Sequence, residues 1–186
     1  MKFLLCSAAI AVLAHIGIAD DQSQTPYPLY CAGVVVGMSR MADVQKMYGD
    51  GLFVAEEGHG GGRYFVDPKQ EVTLHVESGV DNVIETVSLS RGVRLPDKYK
   101  KGTAVPKQAI APRLSVKEEL SWINLGNRAD KILDHFGPPK EDKAKQGIRT
   151  IIYETDYTKS PYVLAYRAEL EFEDDKLVSV TLYNGE

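Results

Sequence analysis

Two stretches decide the reading of this chain. They are Gly37-Met38-Ser39-Arg40-Met41-Ala42-Asp43-Val44-Gln45-Lys46-Met47-Tyr48-Gly49 and Leu125-Gly126-Asn127-Arg128-Ala129-Asp130-Lys131-Ile132-Leu133-Asp134-His135-Phe136-Gly137. Apolar residues at 41, 44, 47 and 48 in the first, and at 129, 132, 133 and 136 in the second, fall on one face of a helix. Ser39 and Asn127 are placed to cap the N-termini, and Gly49 and Gly137 to stop the helices; Pro138 and Pro139 make the second stop firm. At a shift of 88 residues Arg40 meets Arg128, Val44 meets Ile132, Tyr48 meets Phe136 and Gly49 meets Gly137. Correspondence at a fixed spacing reads as an internal repeat, here of two copies.

After each helix comes a period of two. Val72, Leu74 and Val76 alternate with Thr73, His75 and Glu77, and Leu170 and Phe172 alternate with Glu169, Glu171 and Glu173, the pattern of strands buried on one face. Turns are expected at Ser78-Gly79 and Asp174-Asp175, and earlier strands at Arg63 to Val66 and Ile148 to Glu154. Val87 to Gly92 matches Val180 to Gly185 at the ends of the halves. The expected class is α+β: two tandem repeats, 20–91 and 114–186, each a short helix followed by a three- to four-stranded antiparallel meander, with the helices on one sheet face.

The N-terminus is an address. Met1 and Lys2 give a positive start, Phe3 to Ile18 is apolar apart from Ser7, His15 and Gly17, and Gly17-Ile18-Ala19 supplies small residues before Asp20. A signal peptide over 1–19, cleaved near Ala19, is expected, and with it a secreted or periplasmic location. The run is shorter than the roughly 20 residues a spanning helix needs, so no stable membrane span is expected. Cleavage would leave Cys31 as the one thiol, without an internal disulfide, and a buried core position is the expected place for it. A monomer or weak dimer follows.

The net charge of −4 argues against a nucleic-acid binder, but it is unevenly spread. Residues 20–90 carry 11 acidic and 4 basic side chains, 91–113 carry 1 and 7, and 114–186 carry 14 and 10. Residues 92–113, with Pro96, Pro106 and Pro112, read as a basic linker, expected to be a solvated connection lying along the two acidic halves.

The order of a helix ending in Gly or Gly-Pro, then a meander ending in an acidic turn and a Val-x-Leu strand, resembles the superfamily of the outer-membrane assembly lipoprotein BamE (SmpA/OmlA) and the beta-lactamase inhibitory protein. Gly126 to Pro138, Tyr153, Leu170, Phe172 and Val178 to Leu182 carry it in the second half, and Gly37 to Gly49, without a following Pro, in the first. The chain is expected to depart from the first family, which is lipid-anchored and single-unit, in having no anchor and two units, and from the second, which carries disulfides, in having none after cleavage. The resemblance implies two units that bind another protein.

Catalytic motifs are incomplete. His59-Gly60-Gly61-Gly62 spells an oxyanion-hole sequence, but no G-x-S-x-G elbow accompanies it, and Gly37-Met38-Ser39-Arg40-Met41 lacks the second glycine. Gly58-His59-Gly60-Gly61-Gly62 is therefore expected to be a loop between helix and sheet, or a turn needing positive φ. His59, His75 and His135 include no pair at i, i+4 and meet only one thiol, so no metal, cofactor or catalytic residue is expected. The rival readings are a small exported hydrolase using His59 with Glu56 or Glu57, and a purely structural envelope protein.

What the polar sheet face offers is a binding surface. The candidate protein-binding residues are Thr73, His75, Thr86 and Ser88 from the first half and Glu169, Glu171, Thr181 and Tyr183 from the second, with Ser90 and Ser179 on the same face. Tyr outnumbers Phe by 10 to 5, and Tyr64, Tyr153, Tyr162 and Tyr166 are further candidates, some of which must serve the core. The expected function is an exported, non-enzymatic module whose partner is an envelope protein or an exported enzyme.

Overall fold

Each helix is seated by the turn of a distant hairpin. A computed structural model describes residues 30–56, 59–99, 104–111, 114, 124–154 and 166–184, with backbone alone at 56, 59 and 60. The first helix, α1 (Met41–Tyr48), buries Met41 and Val44, and the second, α2 (Ala129–Phe136), buries Ala129 and Ile132. Their N-caps are not Ser39 and Asn127 but Arg40 and Arg128, in extended conformation. Ser39 Oγ instead accepts from Val35 N at 2.9 Å, and Asn127 Oδ1 from Asn124 N at 3.1 Å, so both side chains close the turn before the helix. The orphan donors at the helix starts find carbonyls elsewhere: Met41 N donates to Asn82 O (3.0 Å) and Ala129 N to Asp175 O (3.3 Å). Ile84 N and Leu177 N return the contact to Ser39 O and Asn127 O, at 2.9 and 2.8 Å. At the other ends Gly49 (φ +88°) and Gly137 (φ +77°) turn the chain out, each amide closing on the carbonyl four residues back.

The strands are β1 (Tyr30–Cys31), β2 (Val34–Val35), β3 (Leu52–Glu56), β4 (His59–Asp67), β5 (Val72–Ser78) and β6 (Ile84–Arg91) in the first half. The second half adds β7 (Glu141–Lys145), β8 (Ile148–Glu154), β9 (Tyr166–Glu173) and β10 (Lys176–Asn184). β1 and β2 form a small ribbon; the other eight make one antiparallel sheet in the order β3-β4-β5-β6-β10-β9-β8-β7. The class is α+β, as expected, but the two meanders are not self-contained sheets. The last strand of each joins the other, with Ser88 opposite Thr181 and Val87 opposite Leu182 at the seam.

One core lies between the sheet and both helices. It gathers Val44, Phe65, Leu74, Val87 and Leu89 with Ile132, Tyr153, Leu170, Phe172 and Leu182, and Cys31 joins it at 2% exposure. Tyr153 is thus a core residue rather than a binding one, and Tyr166 packs half-buried against the same core.

Two further expectations hold only in part. From His59 on, the glycine stretch is strand rather than loop, since β4 begins there, and the expected positive φ is found at Gly61 (+88°), where the β3–β4 ladder shifts register between Val54 and Glu56. The connection after β6 keeps Arg94, Lys98 and Lys107 exposed, but among its described residues a few apolar side chains are buried against the sheet. Leu95 and Ala109 pack on Val66 of the sheet's other face, Ala111 N donates to Val66 O at 2.8 Å, and Ala111 and Leu114 are buried. Leu95 and Ala109, unremarkable in the sequence beside six cations, are what the outer face holds.

Candidate functional site

Direct cross-strand partners share a face, so the register of eight strands lays the candidate residues out in rows. The first row runs Leu52, Tyr64, His75, Ser88, Thr181, Glu169, Ile152, Glu141 from one edge of the sheet to the other. The second runs Val66, Thr73, Ser90, Ser179, Glu171, Thr150, Lys143. The third runs Val54, Gly62, Glu77, Thr86, Tyr183, Arg167, Glu154. All eight candidate residues therefore stand on the face away from the helices, across the four central strands.

Seven of them line a solvent-facing hollow of about 240 Å³, joined by Tyr64, Ser90, Ser179 and Arg94; Thr86 lies just outside it. At the floor the Ser88 and Thr181 hydroxyls bond across the seam at 2.7 Å. One wall is built around His75. Its ring stacks on Tyr64 with centroids 4.0 Å apart and planes 15° from parallel, and Nε2 lies 3.5 Å from Glu77 Oε1. Gly62 makes that wall possible, because a Cβ there would run into His75 Nε2. Two of the three glycines are thus explained: Gly61 by its positive φ, with Val54 O only 2.7 Å from where its Cβ would stand, and Gly62 by the imidazole.

The opposite wall belongs to the second half. Arg167 stacks over Tyr183, 6.0 Å from the ring centroid, and pairs with Glu169 at 3.2 Å. Burial raises the Tyr183 hydroxyl above the ordinary tyrosine value, and the Glu169 carboxylate adds to the shift, so the phenol is a neutral donor and acceptor at any physiological pH.

The connection after β6 forms the rim. Thr73, 1% exposed, donates through Oγ1 to Gly92 O at 2.7 Å and accepts from Arg94 N at 2.9 Å. Arg94 then reaches across the seam to Glu171 at 3.2 Å. Sequence reasoning placed Arg94 among linker charges and missed it as a site residue. Only the fold, which returns the chain over β5, puts it beside Glu171.

The carboxylates Glu169 and Glu171 are both committed to arginines, and among the described residues no group of three or more His, Cys, Asp and Glu is arranged to hold a metal ion. Glu57, Gly58, Tyr162 and the leader over 1–19 lie outside the described residues, as do the side chains of Glu56 and His59. No described helix is long and apolar enough to cross a membrane. What the arrangement can do is hydrogen-bond and stack, through the Ser88 and Thr181 hydroxyls, two arginine-paired carboxylates and the rings of Tyr64, His75 and Tyr183 around an open depression, with Thr73, Ser90 and Ser179 buried at its base.

No protein-family model matches the chain, and no curated protein matches it. Among solved structures it is similar to a DUF4309 family protein, YjgB, from Bacillus subtilis subsp. subtilis str. 168, at 14% identity over 82% of this chain and 83% of that one, with a TM-score of 0.45. It is similar too to the "putative beta-lactamase inhibitor protein" of Streptococcus mutans, at 14% identity over 80% of this chain and 84% of that one, with a TM-score of 0.27.

Proposed function

We propose that this chain is an exported, non-enzymatic binding protein that engages an envelope protein or an exported enzyme through the polar outer face of its sheet. The observation that carries the reading is the hollow, which draws side chains from both halves onto the central seam and flanks hydroxyl-rich strands with Tyr64 and Tyr183. Tyrosines with satisfied polar neighbours on an open surface suit recognition of a folded partner, since they offer area at small entropy cost and a polar tip. Export rests on the leader over 1–19.

The same reading takes the two halves as copies of one unit, of the kind found in the BamE and beta-lactamase inhibitory protein superfamily. The matching docks of α1 on Asn82 and α2 on Asp175 support it. Joining two such units at β6 and β10 creates a face neither has alone.

The test is affinity capture from the native envelope fraction, with the wild type compared against Tyr183→Ala and Thr181→Arg, and with Lys143→Ala at the far edge as control. A protein retained by wild type and Lys143→Ala but lost with both hollow variants is the expected result. Identical retention by all four proteins, or by none, overturns the reading.

A further inference from the structure

The sheet ends in two edges of opposite character. β7, Glu141-Asp142-Lys143-Ala144-Lys145, is charged at four of its five positions, and its charges are exposed or paired in place, as Asp142 is with Arg149 at 2.7 Å. Lysines on an edge strand are the common device against addition of a further strand. β3, Leu52-Phe53-Val54-Ala55-Glu56, has no lysine, no proline and four consecutive apolar residues. It is a terminal strand whose ladder runs to β4 alone among the described residues, so alternate backbone N–H and C=O groups point outward. Phe53 is 50% exposed, and Ala55 is exposed as well. Both faces at this edge are apolar: Leu52 and Val54 end two of the outer-face rows, while Phe53 and Ala55 lie on the helix side.

We propose that the β3 edge is a strand-addition site for an extended, apolar segment of a partner protein that is flanked by basic residues. Charge selects the partner and argues against a second copy of this chain. Asp50 stands just before β3 and Glu56 ends it, and the one cation opposite, Arg63, is occupied, with its guanidinium over the Phe53 ring at 5.3 Å and donating to Asp50 O. Antiparallel pairing of β3 with its own copy sets the Asp50 end against the Glu56 end at both extremities. A segment with Lys or Arg at its ends meets complementary charge there instead. The site is continuous with the outer-face rows and meets the hollow only at Tyr64 of β4, away from its floor at Ser88 and Thr181.

The probe is a synthetic peptide, acetyl-Lys-Lys-Val-Ile-Val-Thr-Val-Lys-Lys-amide, titrated into the isotope-labelled protein and followed by amide NMR. Expected are shifts centred on residues 52–55, affinity about tenfold or more above that of the same peptide with Glu at its ends, and loss of binding when alternate peptide amides are N-methylated. Ala55→Lys, which copies the device of β7, is expected to weaken binding about tenfold, and Ala55→Val to retain it. The proposal is overturned by any of four results: no binding at millimolar peptide, equal affinity for the Lys and Glu peptides, survival of binding after N-methylation, or shifts confined to Ser88 and Thr181. A dimer of the free protein in sedimentation that Ala55→Lys abolishes would assign the edge to self-association and overturn it too.

Discussion

The two halves seat their helices with the same pair of rings and place the hydroxyl on opposite members. In the first half Tyr48 of α1 packs on Phe65 of β4, with centroids 5.9 Å apart and planes at 55°; in the second, Phe136 of α2 packs on Tyr153 of β8, at 5.7 Å and 60°. Tyr48 gives its hydroxyl to Ala32 O at 2.6 Å, in the turn between β1 and β2, and Tyr153 gives its own to Gly137 O at 3.1 Å, at the end of α2. The ring contact is the part the architecture holds constant, because it sets the distance between helix and sheet. Where the hydroxyl goes depends on which carbonyl lies near: the small ribbon supplies one in the first half, and the helix terminus supplies one in the second.

The most forceful way to break that comparison is to remove the sheet-side rings. Phe65→Ala and Tyr153→Ala should each lower unfolding free energy by about 3–5 kcal/mol, the usual cost of deleting a fully buried ring. Both rings are 0% exposed, so neither site gains from solvent access. Urea denaturation measures both; a loss below about 1 kcal/mol at either position would show that the pair does not seat that helix.

A smaller effect comes from the hairpin turn after β4 in the first half. Asp67, 1% exposed at the end of β4, accepts from Lys69 N, Gln70 N and Gln70 Nε2, and the same Nε2 donates to Leu114 O, tying the hairpin turn to the far end of the connection. Burial by itself would raise this carboxyl, but the hydrogen bonds from Gln70 and Lys69 and the Lys69 charge outweigh it and hold the pKa below the ordinary 3.8. A depressed folded-state pKa contributes stability above the unfolded value and loses it as pH falls through the folded one. Stability should therefore decline below about pH 3.8, and Asp67→Asn should cost about 1.5–3 kcal/mol at neutral pH, as hydrogen bonds to a charged group do, while flattening the acid limb. An unchanged acid limb in the variant would assign that limb to other carboxylates.

How much of this was readable before folding follows from period and chemistry. Val72 to Glu77 and Leu170 to Glu173 alternate strictly, so the face that each of Thr73, His75, Glu169 and Glu171 occupies could be read directly, and Ile148 to Glu154 is β8 to the residue. β7 was hidden because Glu141 to Lys145 carries no apolar alternation, as suits an edge. The union of β6 with β10 was hidden as well, since two strands with Val-x-Leu inward and Ser or Thr outward are equally fit to be edges or neighbours. The helix caps were misplaced by one residue because Ser39 and Asn127 can satisfy either the helix or the preceding turn, and the docked hairpins made the helix donors independent of them. Arg94 owes its place in the hollow to where the connection crosses, which no local pattern encodes.

The hydroxyls sharpen the comparison of rings. Tyr153→Phe should cost about 1 kcal/mol, one neutral hydrogen bond net of water, with Gly137 O left to find another donor. Burial first of all, with Asp142 adding to it, pushes the Tyr153 hydroxyl up to about 12 from 10.0. A raised folded-state pKa gives stability that is complete below the unfolded value and is lost as pH rises through the folded one, so the wild type should weaken between about pH 10 and 12. Removing the hydroxyl takes out this contribution, and the alkaline limb of a thermal-melt series should be shallower for Tyr153→Phe than for wild type. Equal limbs would show that this phenol ionises without unfolding the second half.

The smallest effect concerns what fastens the connection to the sheet. Arg94 and Glu171 form an ion pair between that segment and the second half, a clasp over the hollow. Their side chains are 48% and 34% exposed, so water screens the pair and the long side chains lose entropy in holding it. Arg94→Ala should therefore change stability by less than about 0.5 kcal/mol, and less still at high salt. The backbone of the same residue is fastened differently, through Arg94 N on the buried Thr73 hydroxyl and Leu95 in the cluster with Val66, and neither contact needs the guanidinium. A loss above about 1 kcal/mol on Arg94→Ala, read by urea denaturation at low and high salt, would reverse this ranking and make the charge, not the buried threonine and leucine, the fastening of the first half's outer face.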